Sequence, residues 1–138
     1  MQQQTTIVNF LNALKAGDVV AASGFVSQDA VFIGVRPESK PSVPPYGRYV
    51  GHDGLKAFLG ALAGTFSRQS LTIEHVGSGD DVAFASGQLD HTVASTGKRF
   101  ACDWVLRCRL RNGKIAHYQF CEDSARLEEA LSADLAQP

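Results

Sequence analysis

The chain is poor in the features that would announce a function directly. Thirteen Lys and Arg stand against fourteen Asp and Glu, a formal net charge of −1 over 138 residues. The electrostatic footprint of a nucleic-acid binder is therefore missing. Cysteine is scarce and odd in number: Cys102, Cys108 and Cys121 lack metal-ligand spacing and fall in strand patterns that accept a reduced thiol as a small hydrophobe. Neither a zinc site nor a disulfide framework is expected, and no cofactor. No segment approaches the ~20 apolar residues of a membrane span, and Met1-Gln2-Gln3-Gln4-Thr5 has neither the basic flank nor the apolar core of a secretory leader. A cytoplasmic location with no membrane partner is expected. Gly77-Ser78-Gly79 precedes no helix and cannot cradle phosphate, and no nucleophile triad stands out. Internal repeats and linkers are also lacking, so residues 1–138 read as one domain, whose 44% hydrophobic content suffices for a substantial core.

What is present is a change of period along the chain. Ile7, Phe10, Leu11 and Leu14 recur at helical spacing, and Gly17 sits where a left-handed cap would end that helix. Asp18 can cap a short second helix through Phe25, and Ala30-Val31-Phe32-Ile33 suits a brief strand. Arg36 to Pro45 carries four of the five prolines and reads as a loop, since each removes a backbone donor and biases its predecessor away from helix. Leu55, Phe58, Leu59 and Leu62 then mark a third helix, with Asp53 as cap and Gly64 as terminator. Four strands follow, Ser70 to Val76, Val82 to Val93, Lys98 to Arg111 and Lys114 to Glu122, and Asp123 or Ser124 can cap a last short helix. Asp134 to Pro138 reads as a loose tail. Helices gathered first and strands later predict an α+β fold with helices over one face of a curved antiparallel sheet.

The two strands around Arg111-Asn112-Gly113 are the most informative stretch. Cys102, Trp104, Leu106, Cys108 and Leu110 alternate with Ala101, Asp103, Val105, Arg107 and Arg109, a sheet with unlike faces. A two-residue Asn-Gly turn would put Trp104 on the face of Ile115, His117, Gln119 and Cys121. A three-residue loop with a bulge at Gly113 groups it with Ala116, Tyr118, Phe120 and Glu122. The second joins aromatic to aromatic and is preferred, pairing Trp104 with Phe120 and Cys102 with Glu122. On the strand from Val82, the face of Ala83, Ala85, Gly87, Leu89 and His91 is small at one end, leaving space for a helix or a ligand.

The order of elements, with Tyr46-Gly47-Arg48-Tyr49-Val50-Gly51-His52-Asp53-Gly54-Leu55 and Asp103-Trp104-Val105, Arg111-Asn112-Gly113-Lys114-Ile115 and Glu122-Asp123, resembles the SnoaL-like branch of the NTF2-like superfamily over nearly the whole chain. The resemblance implies a cone-shaped scaffold, helices wrapped with a curved sheet around a deep pocket, and a homodimer. It names no reaction, because the scaffold carries isomerases, cyclases, dehydratases, epoxide hydrolases and non-catalytic modules. The ketosteroid isomerase base and oxyanion tyrosine fall on Gly34 and Phe10 here, and the limonene epoxide hydrolase Arg-x-Asp pair and further aspartate fall on Gly87, Leu89 and Phe120. Both sets are missing. The cyclase-type acid/base aspartate has Glu122 and Asp103 as its nearest counterparts. Isomerase-related relatives resemble this chain yet carry His and Glu near Leu106 and Phe120, which implies an unusually apolar pocket here.

Glu122 is the leading acid/base candidate, because a carboxylate beside Cys102, Trp104 and Phe120 should resist ionisation; as a strand-end residue it equally suits solvent. His91 is the second, with exposure near a turn as the plain alternative. Trp104, Leu106, Tyr118, Phe120, Cys102 and Leu89 would line a hydrophobic site or simply form core. Tyr46 and Tyr49, with His52 beside them, would roof the mouth or anchor the loop. Asp103 suits a salt bridge or a dimer face with Arg107 and His117, and His75 suits a satisfied inner position. The function expected is acid/base catalysis on a small apolar carbonyl- or hydroxyl-bearing molecule; the alternative is a non-catalytic ligand-binding or dimerisation module.

Overall fold

A computed structural model describes residues 2–133; the expected tail from Asp134 to Pro138 lies outside them. The chain opens with α1 (Gln2–Lys15) and α2 (Val19–Ser23). α1 buries Thr6, Ile7, Phe10 and Leu11 on one stripe, and Gly17, at φ 71°, ends it in the left-handed region that glycine tolerates. The Asp18 side chain caps α2 by accepting the Ala21 N–H at 3.0 Å. β1 (Val26–Gly34) outruns the expected four-residue strand at both ends, and α2 accordingly stops before Phe25.

β2 (Gly47–Val50) and β3 (Phe66–Arg68) form where no strand was expected. Each is too short for a readable alternation and is strand only because it pairs with a longer neighbour. Between them α3 (Gly51–Thr65) starts two residues before the expected cap: Asp53 lies in its first turn, and Val50 precedes the helix without a side-chain cap. The remaining elements follow the predicted order, β4 (Leu71–Ser78), β5 (Val82–Val93), β6 (Arg99–Arg111), β7 (Lys114–Cys121) and α4 (Ser124–Leu131), the last capped by Asp123 through the Arg126 N–H at 3.0 Å.

The strands make one sheet ordered β2-β1-β7-β6-β5-β3, with β4 also paired to β5. All pairs are antiparallel except β1 with β7, which run parallel; between them in the chain lie β2, α3, β3, β4, β5 and β6. The sheet curls strongly into a half-barrel, and α1 and α3 pack on it. The α+β packing expected from the order of elements, and the cone that the resemblance implies, are the fold observed.

The β6–β7 hairpin departs from its expected geometry. Arg111 pairs with Lys114 across a two-residue turn whose Asn112 and Gly113 have φ of 53° and 76°, both positive as a type I′ turn needs. The extra residue is Ala116, because Arg109 pairs with His117 but Leu110 pairs with Ile115. The bulge restores the face grouping that the longer loop would have made: Tyr118 and Phe120 join Trp104. The direct partners are shifted by two residues, however: Leu106, not Trp104, stands opposite Phe120, and the pairing ends at Val105 with Cys121, so Cys102 is not brought opposite Glu122. Ile115 falls on the buried side as well, fully covered. A second bulge, between Ile73 and His75 of β4, turns His75 outward, so this histidine is exposed rather than inner.

Two glycines hold places where only a glycine fits. A Cβ on Gly34 would lie 2.0 Å from the Pro45 carbonyl oxygen, and one on Gly87 would lie 1.8 Å from that of Thr72. These are the positions onto which the isomerase base and part of the hydrolase set would map. Backbone occupies the space those side chains would need.

Candidate functional site

The inner face of β6 and β7 is a wall of rings. Trp104 stacks on Phe120 with centroids 5.5 Å apart and planes 18° apart, and Tyr118 sits among Phe10, Phe32 and Phe58 at 6.0, 5.6 and 5.7 Å. Leu106 and Leu89 are buried beside them. Where the resemblance implies a deep pocket, the space under α1 and α3 is occupied by this cluster. Its polar end is Glu122.

Glu122 directly follows β7 and directly precedes the Asp123 cap of α4, so strand and helix fix its backbone from both sides. One step past the Val105–Cys121 pair, the register brings it opposite Trp104. The residue is half-buried. Loss of water, with the Asp123 charge adding, pushes its carboxyl up to about 8. Three expected site residues feel that carboxylate. Burial raises the Tyr118 hydroxyl well above its usual value, with Cys108 and Glu122 contributing. Burial first raises the Cys102 thiol as well, opposed by a backbone hydrogen bond at Asp123 and aided by the Glu122 charge. Tyr46 is raised to about 12 by burial, then by Glu128, with Glu122 a lesser contributor. Glu122, Tyr46, Cys102 and Tyr118 therefore share one electrostatic neighbourhood.

The Pro-rich loop closes over this end. Tyr46 donates its hydroxyl to Glu128 of α4 at 2.9 Å, Lys40 donates to the same carboxylate at 2.6 Å, and the Arg36 guanidinium sits 5.4 Å over the Tyr46 ring. Tyr49 plays the anchoring role instead: its hydroxyl donates to the Pro44 and Pro45 carbonyls at 2.9 and 3.2 Å, and its ring packs on Phe58 at 5.1 Å. His52 likewise anchors, through Nε2 at 3.2 Å from the Val26 carbonyl. Glu128 was not singled out in the sequence; nothing in its helical context signals that it ties down a loop 82 residues away.

His91 lies elsewhere. It is 6% exposed, its Nδ1 accepts the Ser70 N–H at 3.2 Å, and its ring packs 4.7 Å from Phe66 and 6.3 Å from Phe100. Burial lowers its pKa, against the pull of Asp90, so it is a neutral core histidine; the exposure considered for it is not observed. Asp103 is exposed on the outer face, and among the described residues no ion pair joins it to Arg107. A groove of about 430 Å³ opens beside it, lined by Ser70, Thr72, Gln88, Leu89, Asp90, Arg99, Ala101, Cys102 and Asp103; it takes in two residues expected for the apolar site, Leu89 and Cys102, yet its surface is mostly polar. Among the described residues no group of His, Cys, Asp and Glu is arranged to hold a metal ion, and no helix is long and apolar enough to cross a membrane.

Three further atoms stand out: Trp104 Nε1 on the inner face, and Arg107 Nε and His117 Nδ1 on the outer, are buried without a hydrogen-bond partner. Such groups cost about 1–3 kcal/mol each when left unpaired, so each marks a place where an acceptor or donor is wanted.

Comparison with known proteins agrees with this architecture. An NTF2-like protein of unknown function from Burkholderia pseudomallei superposes with a TM-score of 0.86 at 16% identity, over 96% of this chain and 99% of that one. TerC, co-crystallised with polyporic acid, gives 0.84 at 19% identity, over 96% and 100%. A Jannaschia protein named as a SnoaL-like polyketide cyclase gives 0.81 at 15%, over 96% and 93%. At these identities the likeness is one of fold. No curated protein matches the sequence. The SnoaL-like domain family, however, matches residues 7–118, most of the chain from the first buried apolar residue of α1 to the centre of the ring cluster. The protein belongs to the SnoaL-like family.

Proposed function

We propose that this protein is a proton-transfer enzyme of isomerase, cyclase or dehydratase type, acting on a small, largely apolar molecule that bears a carbonyl or hydroxyl group. Glu122 is the acid/base residue. The single observation that carries this reading is a carboxyl with a pKa of about 8 at the end of an aromatic wall, able to give and take a proton near neutral pH. Trp104, Phe120, Tyr118 and Leu106 supply the apolar surface, with Leu89 and Cys102 beside them and Tyr46 closing the mouth. The polyporic acid of TerC, a hydroxyquinone, is the kind of planar oxygen-bearing ligand such a wall suits. The test is turnover, or solvent-deuterium exchange at the α-carbon, across enones, hydroxyquinones and polyketide-like diketones. Exchange that is lost in Glu122→Gln supports the assignment, and exchange that persists in that variant excludes Glu122.

A second reading, a binding or dimerisation module without catalysis, is favoured by the close packing of Phe10, Phe32, Phe58 and Tyr118 in the interior. It predicts ligand binding or self-association with no exchange on any substrate. Both readings share a homodimer, with the outer face of β6 as the contact. Val105 is 48% exposed there and Phe84 of the neighbouring β5 is 42% exposed, and Asp103, Val105 and Arg107 form an acidic, apolar, basic row. A two-fold axis near Val105 would set each Asp103 against the partner copy's basic end and pair charges that are unpaired within one chain. Ile115, expected on this face, belongs to the core and contributes nothing to it.

A further inference from the structure

Positive charge collects on the outer face of the sheet, away from the aromatic wall. Across β2, β1, β7 and β6 the register lays two rows on that face: Arg48, Ile33, Gln119 and Arg107 in one, and Val50, Val31, His117 and Arg109 in the next, two residues along. His117 has Arg109 directly opposite and Arg107 one row away. Its pKa is lowered by burial first and then by Arg107, Arg109 and Arg48, so all three guanidinium charges reach the imidazole. The charges facing it are thus cations from β6 and β2. β1 contributes only Val31 and Ile33 to these rows, and the Gln119 amide is already engaged, donating to the Val35 and Phe120 carbonyls at 3.0 and 3.1 Å. Among the described residues none of the three arginines is in an ion pair.

Packing does not account for this arrangement. Like charges on one face repel, and Arg107 Nε and His117 Nδ1 are both buried without a hydrogen-bond partner. Arginine stays charged at any working pH and presents a planar fork that fits oxyanions, so three arginines around one imidazole suit an anion of more than single charge. We propose that Arg48, Arg107, Arg109 and His117 form a binding site for a phosphate group, free or carried by a small molecule. A phosphate brings nearly two charges and oxygens that can accept from Arg107 Nε and from His117 protonated at Nδ1. Arg48 and Arg109 are exposed, so the ligand reaches the site from the surface. The site is independent of Glu122 and of the proton-transfer reading. It is compatible with the dimer contact proposed above, because one Asp103 from a second copy would neutralise at most one of three arginines; that carboxylate is the competing occupant.

Calorimetry with inorganic phosphate, in a low-salt amine buffer, tests the site directly. Phosphate should bind saturably, and Arg107→Gln and Arg48→Gln, on different strands, should each weaken it about tenfold or more. Lys56→Gln, which removes an exposed cation from α3, should leave binding unchanged. Acetate should bind about tenfold more weakly than phosphate, since it carries one charge. A second readout is the imidazole proton resonance of His117, assigned by its loss in His117→Gln. Sulfate, a stand-in whose charge is constant over the titration, should move the His117 midpoint upward, because a neighbouring anion favours the imidazolium. Equal weakening by Lys56→Gln, or a His117 midpoint that sulfate leaves in place, overturns the site. Acetate binding as tightly as phosphate overturns the ligand class. Phosphate that does not bind, or binds only after Asp103→Asn has removed the competing carboxylate, overturns the proposal in favour of an empty or copy-filled cluster. None of these results touches the proton-transfer reading, which stands or falls with the deuterium exchange of Glu122→Gln.

Discussion

β6 carries two chemistries on its two faces, and both leave polar atoms waiting. Inward, Trp104 and Leu106 continue into the rings of β7 and end at Glu122, which burial pushes towards its neutral form. Outward, Arg107 and Arg109 stand over His117, whose pKa is lowered by burial first and then by Arg107, Arg109 and Arg48. Among the described residues none of these three arginines has a carboxylate partner. The inner face removes water from one carboxyl and pushes its pKa up to about 8; the outer face gathers positive charge around the half-buried His117 and beside exposed Val105 and Phe84. The first arrangement suits chemistry and the second suits a partner surface.

The largest effect expected on this contrast is that of Glu122→Gln. It keeps size and polarity but cannot exchange a proton, so turnover or α-carbon exchange should fall by about 10²–10⁴-fold, with circular dichroism unchanged; a loss below threefold would show that the inner face does not use this carboxyl. Next comes Phe58→Ala, which removes a ring packed on both Tyr49 and Tyr118. Denaturant unfolding should show a loss of about 3–5 kcal/mol, against under about 0.5 kcal/mol for Arg109→Gln on the outer face. Equal losses would mean that the two faces are not core and surface at all. Val105→Asp should convert the proposed homodimer to monomer by light scattering at micromolar concentration while leaving the monomer folded. A wild-type chain already monomeric there would leave the outer arginines without the partner argued for them.

The smallest effects are those of pH. Glu122 has its folded pKa raised, so the folded state binds its proton more tightly than the unfolded chain does. Stability should therefore fall as pH rises from about 4.5 to about 8 and level off above that. Glu122→Gln should flatten this slope. His91 works at the other end: its folded pKa is lowered, so its neutral form contributes stability that is present above about 6.5 and lost as pH falls below it. His91→Gln should remove part of that acid-side loss in a melting series. A wild-type slope between pH 6.5 and 8 that Glu122→Gln leaves unchanged would mean that Glu122 is solvated.

Much of this was determined by the sequence alone. The stripes through Phe10 and Phe58, the Gly17 and Asp18 caps and the alternation through Trp104 are local patterns whose period depends only on neighbouring residues, and they yielded the helices, the long strands, the α+β order and the family resemblance. The inner aromatic face was legible for the same reason. Long-range pairing decided the rest. β2 and β3 are strands only beside β1 and β5. The Ala116 bulge, not a longer turn, brings Tyr118 and Phe120 round to Trp104, and the β4 bulge turns His75 out, because one extra residue reverses a strand's faces and no local signal fixes where it falls. Only the folded chain could show that Gly34 and Gly87 are filled by distant backbone, that Glu128 reaches Tyr46, or that burying Trp104 strands its N–H opposite Glu122. These facts depend on what lies across a gap in space, and a sequence records only what lies along the chain.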